Sequence, residues 1–374
     1  MSALLGALPW LSGVAFAAPT VEPLAQVRPR IEVRTNSGVP TVSQRTRLGA
    51  VLSAESVAAT VVIQDVRTWG EETNTLLDFT ADQIDLRIGF LAWNPYEWLT
   101  LTAGRQELSL HEQRLIGAVG WAQPGRAFDG VLASADGDWS ADVGAVVLAS
   151  SNAATSDTDG FLGILRLGHT FDAGQFDLLY LPLADEARSR LSHTAGVYAK
   201  GKAGTLHGRA EAYVQVGQRD DAPERAFLVG LSGAWEPEAD GSPRVGLWYD
   251  YLSGDGDDND GISTAFDTLF ATNHKFYGLI DVMTFSEGGL ADDQGLQDGA
   301  VKLAISPVAG TRLHLDGHLF FASTAGSAVL GQEVDLTVRS RLNDSLVLTA
   351  GAAVLARPSM AAAGWSFLQL DARL

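Results

Sequence analysis

The chain lacks cysteine, is short of basic residues and, beyond residues 3–18, has no long apolar run. Each absence removes a class of protein. With no cysteine in 374 residues there is no disulfide scaffold, although the compartment stays open. Lys and Arg number 26 against 45 Asp and Glu, a formal net charge of −19. Binding a phosphate backbone needs a basic face, so nucleic acid is excluded as a partner. No later segment approaches the roughly 18 apolar residues of a membrane helix, so a membrane life would require a closed barrel, the other fold that satisfies every backbone group in lipid. There is no Gly-rich phosphate loop, no Gly-x-Ser-x-Gly and no nucleophile beside a histidine, so no catalytic residue is nominated and the chain is read as a non-enzyme.

What is present is 46% hydrophobic residues and 40 glycines, arranged as short alternating runs. The block 3–18 ends in Ala15-Phe16-Ala17, a small-x-small cleavage site, which divides the chain into a signal peptide, 1–17, and one mature domain, 18–374. Its basic n-region is missing, as it would be if the true start lay upstream; a buried first helix is the alternative.

The alternation is that of strands with one greasy and one wet face. Val27, Ile31 and Val33 interleave with Arg28, Arg30, Glu32 and Arg34, and Arg45 and Arg47 follow on the next run. Gln83, Asp85 and Arg87 oppose Ile84, Leu86, Ile88 and Phe90. In the run 206–216, Leu206, Gly208, Ala210, Ala212, Val214 and Val216 oppose His207, Arg209, Glu211, Tyr213 and Gln215; a helix would mix these sets. Trp93, Tyr96 and Trp98 cluster at the Asn94-Pro95 turn as an aromatic girdle would. An all-β fold follows, a transmembrane antiparallel up-and-down β-barrel of about 18 strands, because a single-chain bacterial barrel needs an even number and Phe276–Met283 is then assigned to a loop. Two connections are long, 108–126 and 253–297.

Taken literally, the alternation turns Arg28, Arg30, Arg34, Arg45, Arg47, Arg87, Arg209, Arg244, Lys302, Arg312 and Arg339 inward, with Asp85, Asp129, Glu211 and Asp250 among them. A barrel this wide is expected to enclose an aqueous channel, not a packed interior. Rings of Arg and Lys select anions. One Arg–carboxylate contact at about 4 Å is worth about 4 kcal/mol at an effective dielectric of about 20, so interspersed acids would keep a polyanion from being trapped.

The segment 97–129 carries the most specific signal. After a strand-like run it holds GRQEL (104–108), RLIG (114–117) and W-x-Q-x-x-R-x-FDG (121–130). With RTRLG (45–49), QDVRTWG (64–70), DYLSGD (250–255) and FDTLFATNHKFYGLID (266–281), these motifs resemble the alginate-export family of bacterial outer-membrane β-barrels, in order along most of the mature chain. The resemblance implies an outer-membrane porin through which an acidic polysaccharide such as alginate crosses by diffusion or under push from a periplasmic export scaffold, surrounded by outer-membrane lipid and lipopolysaccharide. It also favours the pore for Arg105, which strict parity places with Leu101 and Ala103 toward lipid. The expectation adopted is that the strand leaves the membrane before Arg105, and that Arg105, Arg114 and Arg126 line a loop folded into the mouth.

No cofactor is required. Asp255, Asp257, Asp258 and Asp260 have the oxygen density of a calcium loop but not EF-hand spacing, so calcium is the one ion the sequence would admit, against a merely solvated tip. His314 and His318 flank Asp316, as a metal site or a polar lumen row. Two alternatives stand beside the export channel: a general small-solute or uronate-uptake porin, and a secreted polysaccharide-binding or degrading β-protein.

Overall fold

A computed structural model describes residues 18–71, 84–151, 158–257, 259–283, 293–324, 326–358 and 360–374. The expected signal peptide lies outside the described residues.

Eighteen antiparallel strands, β1 (Thr20–Arg34) to β18 (Ala363–Arg373), pair in chain order, and β1 pairs with both β2 (Thr41–Ala54) and β18. The sheet is therefore closed. Closure is completed by the last residue, whose amide donates to Ala25 O at 3.0 Å. Phe276–Met283 is loop, with a short 3-10 turn at Asn273–Lys275 before it.

The apolar parity of each strand faces outward. Val27 and Ile31 on β1, Val131 on β6 (Phe128–Ala135), Val143 and Val147 on β7 (Trp139–Ala149) and Leu368 and Leu370 on β18 are all exposed, a surface tolerable only against lipid. Trp93, Tyr96, Trp98, Trp139 and Trp235 form an exposed aromatic belt near the short turns. The long connections 107–127, between β5 (Leu99–Gln106) and β6, and 253–295, between β13 (Arg244–Leu252) and β14 (Leu296–Val308), both leave from the opposite rim.

Two sequence expectations need correction. The first concerns β4 (Asp85–Tyr96). The register between β3 (Val57–Thr68) and β4 shifts where Val62 pairs with Ile88 and Ile63 with Leu86, which leaves Arg87 as the extra residue of a bulge. Arg87 and Ile88 are consequently both buried, Leu91 and Trp93 face outward, and the outward assignment of Ile88 and Phe90 is reversed beyond the bulge. The second concerns the lumen, which is not water throughout. Leu108, Leu115 and Ile116 of the first long loop and Phe266, Phe276, Tyr277, Ile280 and Met283 of the second pack against inward wall residues such as Leu162, Leu181, Leu228, Leu252, Phe320 and Phe367. A hydrophobic core therefore sits inside the barrel at the long-loop end, because the two loops carry enough apolar surface to fill the width that the strands enclose.

Candidate functional site

The two loops meet through their own backbones. The Phe270 amide donates to Leu115 O at 2.9 Å, the Gly117 amide to Phe270 O at 2.9 Å and the Thr272 amide to Gln113 O at 3.0 Å, around a parallel bridge between Ile116 and Phe270. RLIG and FDTLFATNHKFYGLID, far apart in the chain, are thus one structural unit.

That unit is pinned by Arg114. Its guanidinium, 1% exposed, donates from Nε to Glu211 Oε1 (2.9 Å), from Nη2 to Asp250 Oδ1 (2.8 Å) and from Nη1 to the Tyr277 hydroxyl (2.6 Å), and it lies 3.7 Å from the Phe276 ring centroid. Burial alone would lower the proton affinity of Arg114, but Asp250, Tyr277 and Glu211 outweigh it and hold the pKa well above the ordinary value. Arg126 anchors by another route, donating to Phe270 O and, at 3.1 Å, to Ala271 O; burial lowers its pKa. Both arginines are thus structural ties of the loop unit rather than free charges at a mouth. Nearby, burial would raise Glu112, yet Lys275 and Tyr198 hold it below the usual carboxylate range, and burial pushes His111 down toward the neutral form despite Asp177 and Glu211.

A second set of arginines faces the first loop from β1, β2 and β4. Arg28 donates to Gly120 O (2.7 Å), Ala122 O (2.9 Å) and Gln123 Oε1 (3.0 Å); Arg30 donates to Trp121 O and lies 3.8 Å from the Trp121 ring centroid. Arg45 reaches Ala122 O and Gln123 O, both at 3.4 Å. Arg47 reaches Pro124 O at 3.3 Å and Gln64 Oε1 at 2.7 Å, and Arg87 reaches Arg126 O at 2.7 Å. Glu107 is the carboxylate shared by Arg47 (3.6 Å) and Arg87 (2.6 Å). Gly125 makes this close approach feasible. It has φ +71, and a Cβ there would stand 2.7 Å from Arg87 Nη2. Beneath the loop lies a cavity of about 620 Å³ bordered by Arg45, Arg47, Glu107 and Arg373 together with Ile88 and Phe90.

The far wall is acidic. Glu211, Asp250, Asp298, Glu333 and Asp335 are buried there, and Glu333 accepts the Leu279 and Ile280 amides of the second loop at 2.6 and 2.9 Å. Lys302 pairs with Asp316 at 2.9 Å and touches His318 at 3.2 Å, so the His318 and Asp316 row is part of this polar wall. Arg209 lies 4.4 Å from the Trp248 ring centroid. Toward the short turns, Arg244 pairs with Glu236 at 2.8 Å, Arg312 donates to Ser242 O at 2.5 Å, and Arg339 is exposed opposite it in register. Toward the other rim, Arg34 donates to Ile280 O at 3.4 Å and Asp85 is exposed at the start of β4.

Arg105 and Asp129 require correction. They are cross-strand partners on β5 and β6, joined by a 2.7 Å ion pair on the outward parity beside Val131 and Val147. Neither enters the lumen, because β5 keeps its register as far as Gln106 and the pair neutralises itself at the rim. Among the acidic loop residues, Asp255, Asp257 and Asp260 accept amide protons of their own loop, from Asp257, Asn259 and Ile262. Asp258 lies outside the described residues. Gln64, Gln123 and Tyr277 were given no site role by the sequence, and Glu107 and Glu333, legible as a charge of the long loop and an inward acid, had no assigned partner, because these roles depend on which loop reaches which wall.

A closed, outwardly apolar barrel with loops folded into a charged lumen defines an outer-membrane channel of the porin class, located in the bacterial outer membrane. Residues 25–329 match the family described as Alginate export, and the chain belongs to that family. No curated protein matches it by sequence. Similar solved structures include OccAB4 of Acinetobacter baumannii (13% identity, 95% of this chain and 98% of that chain, TM-score 0.67). Also similar are OccK5 (OpdH) of Pseudomonas aeruginosa (11%, 95% and 98%, 0.64) and OpdK of Pseudomonas aeruginosa with vanillate (13%, 95% and 98%, 0.64). At these identities the likeness is one of fold.

Proposed function

We propose that the channel passes carboxylate-bearing saccharides of the alginate kind along the arginine wall of β1, β2 and β4. The observation that carries this reading is the chemistry of that wall's partners. Arg28, Arg30, Arg45 and Arg47 meet mostly neutral carbonyl oxygens, the carboxylates being Glu107 against Arg47 and Arg87 and, at 3.9 Å, Glu32 against Arg30. A uronate carboxylate forms a stronger, charge-assisted bond to a guanidinium than a carbonyl does, so an incoming anion would compete well for these donors. The membership in the alginate-export family supports the same cargo.

A small-solute reading has its own support: the apolar core at the long-loop end narrows the route, which suits short uronates taken up one at a time over a wide polymer. The neighbour recorded with vanillate, a small carboxylate, agrees with it. Under either reading outer-membrane lipid and lipopolysaccharide surround the apolar band, and an export route would add a periplasmic scaffold.

Planar-bilayer recording tests the proposal. The wild type is expected to favour anions and to show current block by uronate oligomers. The triple variant Arg45→Gln, Arg47→Gln, Arg87→Gln should shift the reversal potential toward cations and relieve block. An unchanged reversal potential in a folded triple variant would remove the arginine wall from the account.

A further inference from the structure

We propose that the wall formed by β10 (Arg190–Ala203), β11 (Leu206–Arg219), β12 (Ala222–Trp235) and β13 carries a second carboxylate subsite, below the loop unit, which takes a uronate residue of the cargo. The inference rests on the reading of the channel as a uronate conduit. Strand register builds the site. Lys200 pairs with Arg209, Arg209 with Ser232 and Ser232 with Trp248, so four inward side chains stand in one row across four strands. The next inward row toward the short turns is Lys202, His207, Ala234 and Gly246. Ala234 contributes only a methyl group there, beside a cavity of about 510 Å³ bordered by Lys200, Lys202, Arg209, Arg244, Trp248, Glu112 and Asp172.

Of the cations that border this cavity, Lys200 and Lys202 hold no acid among the described residues, Arg209 keeps one edge free and Arg244 is paired. Of its bordering acids, Glu112 is engaged and Asp172 stands at the turn between β8 (Gly160–Phe171) and β9 (Gly174–Asp185). Arg209, its side chain 7% exposed, is held flat against Trp248, and its Nε donates to Ser232 Oγ at 3.3 Å. Glu211 Oε1 stands 3.1 Å from Nη1 but is already engaged by Arg114 Nε, and Nη2 has no hydrogen-bond partner among the described residues. A buried guanidinium edge without an acceptor is costly and rare, so it marks a place for one. No ion pair or hydrogen bond occupies the ammonium group of Lys200 or Lys202 among the described residues. Glu112 is spent on Lys275 (2.9 Å) and Tyr198 (3.1 Å), and Arg244 on Glu236 (2.8 Å). What remains is a planar donor edge flanked by two lysine ammonium groups, which matches a carboxylate and leaves a neutral sugar without a charge partner.

The test uses the full channel in a planar bilayer, with glucuronate, a mannuronate trimer or maltotriose added from the side of the short turns. Lys200→Gln and Arg209→Gln should each weaken uronate block about tenfold, the loss of one charge-assisted bond, and Ala234→Phe, which fills the cavity, should weaken it at least as much. Maltotriose should give no block in any channel. Weakening for monomer and trimer alike assigns the subsite to a lone carboxylate, and weakening for the trimer alone to a polymer; both support it. Full wild-type block in Lys200→Gln and Ala234→Phe, with block still relieved by Arg45→Gln and Arg47→Gln, overturns the subsite and leaves the conduit reading standing. Absence of uronate block in the wild type overturns the conduit reading itself.

Discussion

Arg114 is the residue on which the position of both loops depends, because two carboxylates and a tyrosine hydroxyl from three segments converge on it. Removing it strands Glu211 and Asp250 in a buried site, and breaking one partner of such a pair costs about 3–5 kcal/mol. Arg114→Ala should therefore undock the loop unit: protease should cut within 107–127 in the intact barrel, and single-channel current should become larger and noisier. An acid response follows from Asp267. Burial would raise its pKa, but Arg190 and Arg219 outweigh burial and hold it below the ordinary 3.8. A carboxyl depressed in this way contributes stability that is present above its unfolded pKa and is lost as pH falls through the lower folded one. Its hold on the second loop should persist through mildly acid solution and fail only below the usual aspartate range. Current noise recorded against pH, with Asp267→Asn noisy at every pH, checks this.

At the scale of elements, the segment 118–126 is held mainly by guanidinium-to-carbonyl bonds from strands that are themselves stable. Replacing 118–124 with a short Gly-Ser link should leave the barrel folded, free Arg28, Arg45 and Arg47 and raise both conductance and anion preference, as single-channel recording can measure. The β4–β5 hairpin is less forgiving. Gly104 has φ +125, and a Cβ there would run into the Gly89 carbonyl oxygen and stand 2.9 Å from Phe90 Cα, next to the bulge that turns Ile88 inward beside Arg87. Gly104→Val is expected to block assembly, seen as loss of the heat-modifiable gel band.

For the whole molecule, charge at the level of the inserted loops is polarised across the lumen, basic on β1, β2 and β4 and acidic on the far wall, with the lysine and arginine row of β10 and β11 nearer the short turns, while the outside is apolar between aromatic rims. This division sets where substitutions are tolerated. Arg introduced at an exposed mid-strand position such as Val143 meets hydrocarbon and should cost about 2–4 kcal/mol of folding stability, measured by urea titration in vesicles. Lys200→Gln, inside the lumen, should leave that titration unchanged.

The alternation in the runs that begin at Val27 and Leu206 determined those strands and their outward faces by itself, because side-chain direction in a strand has period two and lipid accepts one parity alone, while the even strand number came from the closure rule for single-chain barrels. That alternation also turned Arg28, Arg45 and Arg47 inward. It failed at Ile88 and Phe90, where the extra residue at Arg87 reverses the parity, and a bulge leaves no mark in a run such as 88–93 that holds no polar side chain. It was silent on Arg114 and Glu107, which lie in a loop, and on the partners of Glu333, which are amides of the other loop. Only the tertiary structure decided that the loops turn inward, that carbonyl oxygens occupy the arginine wall and that Arg105 pairs outside with Asp129. The reason is physical: periodicity records which solvent each face of a strand meets, whereas a loop's destination depends on long-range packing that follows no local repeat.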